Sequence, residues 1–246
     1  MNTKANPSKH ALVKFAGLLA LVFIAIILRP PVAAVGPLLG QIDESLTLGP
    51  TWLSVLASAP VFCFGLGAFV GPALVRRFGL HRAMNLILVL LAAAVILRVF
   101  GGAIPLMAGT FAIGLAIAVG NVLLPTVVRT DYPERIPLVT GVYTTLLALS
   151  ASFAASTAVP WSAALGDWRW ALLVWGGPAV ASVLLWSTQL KRSEASEDNK
   201  DDVTEDATRF AAEQKAVRRS PITWYLVAFF GTRTYDLGVL AHASGT

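Results

Sequence analysis

The sequence predicts an all-α membrane protein: a bundle of six transmembrane helices, then a charged linker and the start of a seventh helix. Three observations predict it. Hydrophobic residues make up 56% of the chain and charged residues 13%, whereas a soluble domain averages about 25% charged. Apolar runs of about 20 residues, the length that crosses a hydrocarbon core, recur along the chain. The basic residues gather in alternate short loops, the pattern left when positive charge stays on one side of a membrane. The formal charge of +5 therefore reports topology, and the expected partner is the lipid bilayer, with no nucleic acid.

The elements follow in order. Residues 1–11 form a tail with Lys4 and Lys9, and with Lys14 they precede the first apolar run. That run is too long for a signal peptide and lacks a clear small-residue cleavage site, so it reads as a retained helix. The spans are about Leu12 to Leu39, Trp52 to Val75, Ala83 to Phe100, Ile104 to Val128, Leu138 to Ala158 and Trp170 to Leu190. Arg76, Arg77 and Arg82, then Arg129 and Arg135, then Lys191 and Arg192 share a side with the N-terminal lysines, which is therefore cytoplasmic. The other side holds Asp43, Glu44, Arg98, Asp167 and Arg169. The membrane unit is thus 12–190. Residues 191–220 read as a solvated cytoplasmic linker, with a short surface helix over Ala207 to Val217. In 221–246 a seventh span begins at Pro221 and stops near Gly231 after roughly ten apolar positions, half of what crossing needs. The chain reads there as cut or shifted out of frame.

Within the first span, Arg29 follows fourteen residues of apolar or small character and precedes Pro30, Pro31 and a further apolar stretch to Leu39. A cation at bilayer depth costs about 2.5–3.5 kcal/mol on insertion scales and so marks function. The prolines interrupt the helix's own hydrogen bonds, and freed backbone groups are tolerated only against protein or a wet cavity. Charge and helix break at one level suggest an anion site in a transporter. The alternative is that Arg29 snorkels to the interface and only anchors the helix.

Six helices, a charged linker and a seventh start resemble the N-terminal half of a major facilitator superfamily transporter. Leu74-Val-Arg-Arg77-Phe-Gly79-Leu-His-Arg82 is similar to the superfamily loop between helices two and three, with Arg76 where an aspartate usually stands, and Asp167-Trp168-Arg169-Trp170 is similar to its Trp-Arg element. The cyanate and nitroimidazole transporter-like branch is closer. Leu28-Arg29-Pro30-Pro31-Val32-Ala-Ala-Val-Gly36-Pro37 resembles its first-helix motif, though Ile27 replaces a common asparagine. Gly120-Asn121-Val-Leu-Leu-Pro125-Thr-Val-Val-Arg129 resembles its fourth-helix motif, and Gly141-Val-Tyr143-Thr144-Thr145 its fifth-helix start.

The resemblance implies a midplane cavity between two six-helix halves, lined on this side by the first and fourth helices. Arg29 would hold an anion through a planar, permanently charged fork of donors. Asn121 would add an amide; its alternative is a helix–helix hydrogen bond. Tyr143, Thr144 and Thr145 would add hydroxyls, although such hydroxyls often bond their own helix. Pro30, Pro31, Gly36, Pro37, Gly120 and Pro125 would supply kinks and gating points, and Arg76, Arg77, Gly79 and Arg82 the cytoplasmic loop motif. Counted from span centres, Arg29 lies about 4 Å outward and Asn121 about 7 Å inward, a gap that only tilting closes. Gly67 and Gly71 have the spacing of close helix approach, next to Gly65. Tryptophans Trp52, Trp161, Trp168, Trp170 and Trp224 sit at span ends as interfacial anchors.

No carboxylate falls within a complete span, so no buried acidic relay is visible in this half, although proton coupling stays compatible with it. His10, His81 and His242 lie in loops or tails, with His81 a surface residue, and no hydrolase, metalloenzyme or nucleotide motif occurs. No catalytic residue, metal or cofactor is expected. The lone Cys63 is a small core residue. The expected function is secondary transport of a small anionic or polar organic solute, such as a cyanate-like anion, across a bacterial inner membrane by alternating access. The chain alone would be inactive, lacking a C-terminal half. Export of neutral heteroaromatic drugs is the alternative within transport, and a non-transporting remnant or association half the alternative outside it.

Overall fold

The structure, a computed structural model, describes residues 7–196, with side-chain surroundings for 17–189. The first span is three helices, α1 (Pro7–Ile27), α2 (Pro30–Ala33) and α3 (Val35–Leu46). Proline lacks an amide donor and its ring collides with the carbonyl four residues back. Pro30 and Pro31 thus end α1 at Ile27, and Pro37 does the same to Ala33, so the chain turns again at Ala34. The parts on either side of Ala34 are bent by 42°. Helix α3 ends where Thr47 takes a left-handed conformation (φ 49°). Asp43 closes that end, accepting the Thr47 amide on its carbonyl and the Gly49 amide on its carboxylate at 2.9 Å.

Helix α4 (Gly49–Phe78) and α5 (Leu80–Leu97) are joined by Gly79 alone. Its φ of 79° and ψ of 164° lie in a region open essentially to glycine only. Helix α6 (Ala103–Asp131) leads through a 3₁₀ turn (Pro133–Arg135) to α7 (Ile136–Leu165). The final span is α8 (Trp168–Leu173) and α9 (Gly176–Ser196). The side chain of Asp167 caps α8 by accepting the Arg169 amide at 2.9 Å. Five helices are long and apolar enough to cross a membrane, six counting the bent first span, and the described residues contain no strand.

Helix α6 is central: 61% of its apolar window is buried, against 28% for α4 and 22% for α7. Small residues set the spacing of α4 and α6, as the sequence predicts. A Cβ on Gly67 would come within 2.5 Å of Ala118 Cβ, and one on Gly71 within 3.4 Å of Val122. Cys63 is buried there.

The sixth span stands as expected, one crossing over Trp168–Gln189, but it is broken after Leu173, since Pro178 cannot bond the Val174 carbonyl and Gly176 and Gly177 loosen the chain before it. The structure corrects three expectations. The third span stops at Leu97, and Arg98 is buried rather than marking an exposed loop. Trp168 is also buried, its indole donating to Ser45 Oγ at 2.8 Å, whereas Trp52 and Trp170 are exposed. His81 is an ion-pair partner rather than a lone surface residue. The expected linker helix, the seventh span with its tail, and Trp224 lie outside the described residues.

Candidate functional site

The break in the first span positions the candidate residues. Arg29 occupies the position before α2 with its carbonyl accepting the Val32 and Ala33 amides, while its exposed side chain makes no hydrogen bond or ion pair among the described residues. Pro30 and Pro31 are buried behind it. Elsewhere in the bundle large apolar side chains are exposed: Val61, Phe62 and Phe69 on α4 are 70–81% exposed, and Leu138, Leu149 and Phe153 on α7 are 53–63% exposed. An unpaired guanidinium within an apolar span is tolerated only facing water, a headgroup or another protein body.

Asn121 is half-buried on α6. Its neighbour Gly120 is buried against the residue before Arg29: a Cβ on Gly120 would stand 3.0 Å from Leu28 Cδ1. Arg29 and Asn121 thus each follow one member of the contact between Leu28 and Gly120. Tyr143 is buried on α7, while Thr144 and Thr145 are exposed. Thr144 Oγ1 donates to the Thr140 carbonyl at 2.8 Å and Thr145 Oγ1 to the Gly141 carbonyl at 2.8 Å, which leaves each only its acceptor capacity. Gly36 and Pro37 are exposed, and a Cβ on Gly36 meets nothing within 4 Å. Pro125 is half-buried in α6. A cavity of about 170 Å³ lies between the bent segment and α4, lined by Gly36, Leu56, Pro60 and Thr110 among others. It is nearly apolar, since Thr110 already donates to the Leu106 carbonyl at 2.8 Å.

The loop-motif arginines Arg76, Arg77 and Arg82 are exposed at the basic end. There His81 Nε2 lies 3.3 Å from Asp131 Oδ2 and the imidazole stacks on Trp186 at 5.7 Å. Trp186 Nε1 donates to the His81 carbonyl at 3.0 Å. This tie joins α5, α6 and α9 in a loop where Arg76 replaces the usual aspartate. Beside it, burial and the neighbouring Asp131 charge push the Tyr132 phenol up to about 12, so it stays neutral.

Two polar groups escaped the sequence reading. Gln41, Ser45, Ser162 and Trp168 surround a cavity of about 400 Å³ at the opposite end, where Ser162 Oγ donates to Gln41 Oε1 at 2.7 Å. Gln41 and Ser45 are one helical turn apart on α3, the only signal available in sequence. The other is Arg98, 1% exposed, whose Nη1 donates to the Pro31 carbonyl at 2.7 Å. No group of three or more histidine, cysteine or carboxylate side chains placed to hold a metal occurs among the described residues.

The Major Facilitator Superfamily family model matches residues 15–242. The chain belongs to that superfamily. It is 29% identical to an uncharacterized transporter of Bacillus subtilis over 94% of its own length. It is 28% identical to the 2-nitroimidazole transporter of Escherichia coli over 91%, and 27% identical to the cyanate transport protein of Escherichia coli over 73%. The chain spans about half the length of these relatives: 55%, 54% and 47% respectively. Membership, together with the apolar helices, makes it a multi-pass membrane protein with the architecture of an N-terminal major facilitator half.

Proposed function

We propose that this chain is the substrate-facing N-terminal half of a secondary transporter for a small anionic or polar organic solute. It sits in a bacterial inner membrane with its N-terminus and basic loops cytoplasmic, as the loop charges favour. A second six-helix half, which this sequence does not contain, closes the passage and rocks against it. The observation that supports the reading is the exposed Arg29 side chain, without a partner among the described residues, following Leu28, which meets Gly120 beside Asn121. Arg29 offers the anion a charge-assisted fork, Asn121 orients it, and Tyr143 and the acceptor oxygen of Thr144 line the approach. Pro30, Pro31 and Pro37 hold the first span bent, while Gly120 and Pro125 shape the facing helix. Transport of neutral heteroaromatic solutes is the second reading, favoured by the half-buried Asn121 amide and by the relative named for 2-nitroimidazole. Proton coupling would have to use groups outside the complete spans of this half.

Uptake of labelled cyanate and 2-nitroimidazole, by cells carrying the chain alone or with a second half, separates these readings. The expected result is no uptake by the chain alone, and loss of cyanate uptake with Arg29→Ala in the complete transporter. Unchanged anion affinity in Arg29→Ala removes Arg29 from the site, and loss of 2-nitroimidazole uptake alone selects the second reading.

A further inference from the structure

Arg98 lies at the end of α5, where the buried core closes over it. Glycine at position 109 lets α6 press against the arginine backbone: a Cβ there would stand 3.0 Å from Arg98 Cα. The side chain runs into the core and reaches the first span, where Nη1 meets the Pro31 carbonyl. Nε and Nη2 have no partner, and the nearby Thr110 hydroxyl is committed to its own helix. A charge this deep normally has several hydrogen bonds or a counter-ion. Here its one partner among the described residues is a backbone carbonyl.

That carbonyl is the one the bend sets free. In a continuous helix the Val35 amide donates to Pro31. The ladder is interrupted at Ala34: its amide still bonds the Pro30 carbonyl, and α3 starts anew at Val35. Pro37 causes the bend by leaving the Ala33 carbonyl without a donor, but it does nothing for Pro31. At this depth a bare carbonyl is costly, and it must be met by a neighbour.

We propose that Arg98 is a positioning residue for the first span: its guanidinium replaces the Val35 amide at the Pro31 carbonyl and fixes the bend at Ala34, in the same span as Arg29. The consequence for solute binding rests on the proposed role of Arg29, but the clamp itself does not. Two unmet donors leave the guanidinium held by a single bond, so the bend is fixed at one point and has no counter-charge to reinforce it.

The test uses the whole chain in lipid nanodiscs with Cys63→Ser, and spin labels at Leu19→Cys and Gly40→Cys on either side of the bend. Both positions are exposed, and a Cβ at Gly40 meets nothing within 4 Å. The wild type should give one narrow inter-label distance. Arg98→Met, which fills space without a donor, should broaden or shift it, and Arg98→Lys, which keeps one donor, should restore it. A wild-type distance in Arg98→Met, or equal disturbance in Arg98→Lys, overturns the clamp. Should Arg98→Met fail to insert, dipolar recoupling decides in an Arg29→Lys background labelled with ¹⁵N-arginine and ¹³C′-proline. A guanidinium-to-carbonyl contact that vanishes with Arg98→Lys is expected, and its absence overturns the clamp. The labels read the bend and the recoupling reads the contact that fixes it, so their failure leaves Arg29 untouched, and a silent Arg29→Ala in uptake leaves the clamp standing.

Discussion

Arg29 and Arg98 meet two successive breaks of the first span under opposite conditions. Arg29 lies near the middle of a span by sequence, yet its side chain is exposed and free of partners among the described residues. Arg98 lies at the end of a span by sequence, yet it is 1% exposed and bonded to Pro31. One is available to a solute and the other to the backbone. The difference comes from which surface each helix turns inward. Helix α5 is half buried over its whole apolar length and its end is enclosed by the core, while at the α1–α2 break Arg29 alone is exposed between the buried Leu28 and Pro30. Position within a hydrophobic run therefore says how much a charge costs, and the packing says what it does.

The sharpest way to break this comparison is Arg29→Ala. A charge-assisted hydrogen bond is worth about 1.5–3 kcal/mol, so anion affinity measured by uptake competition should fall about 10- to 150-fold. Thermal stability should stay within about 0.5 kcal/mol, as for an exposed residue. Gly109→Leu attacks the other arginine. Overpacking against the Arg98 backbone should cost about 1–3 kcal/mol in reversible detergent unfolding. Gly36→Ala, placed in open space near the bend, should instead gain up to about 1 kcal/mol of helix propensity. Similar losses at the two glycines would show that the core around Arg98 is looser than its packing implies. Trp168→Phe, which removes the pyrrole half of a buried indole together with its donor to Ser45, should cost about 1–3 kcal/mol in the same unfolding assay.

The smallest effect at neutral pH belongs to Tyr132. Its phenol is held neutral up to about 12 by burial and Asp131, above the ordinary tyrosine value of about 10. The raised value means its contribution is full below the unfolded pKa and is lost as pH rises from about 10 through about 12. Tyr132→Phe should therefore melt like wild type at neutral pH and outlast it within that alkaline window. Parallel loss of Tm in both proteins would show that Tyr132 does not carry the alkaline sensitivity.

Much of the fold was legible because hydrocarbon thickness and proline chemistry are local rules. The six spans, the first-span break at Pro30 and Pro31, and the small face of Gly67 and Gly71 all follow from composition and spacing. The split of the last span was legible too, in Gly176-Gly177-Pro178, but a uniformly apolar run masks such a break. The candidate site was legible only in part. Arg29 and Asn121 stand out as polar residues in apolar runs, but the contact of their neighbours Leu28 and Gly120 is visible only in the structure. Nothing near Arg98 in the chain announces the Pro31 carbonyl, 67 residues away. The His81–Asp131 pair spans 50 residues and is equally silent in sequence.

The sequence by itself determined that this chain crosses a membrane repeatedly and that its first span breaks at Pro30 and Pro31, because apolar length and missing proline donors act over a few residues each. Only the tertiary structure decided which arginine is exposed and which is enclosed. That outcome depends on how six helices share their small faces, and the long-range contacts that settle it leave no periodic trace in any one of them.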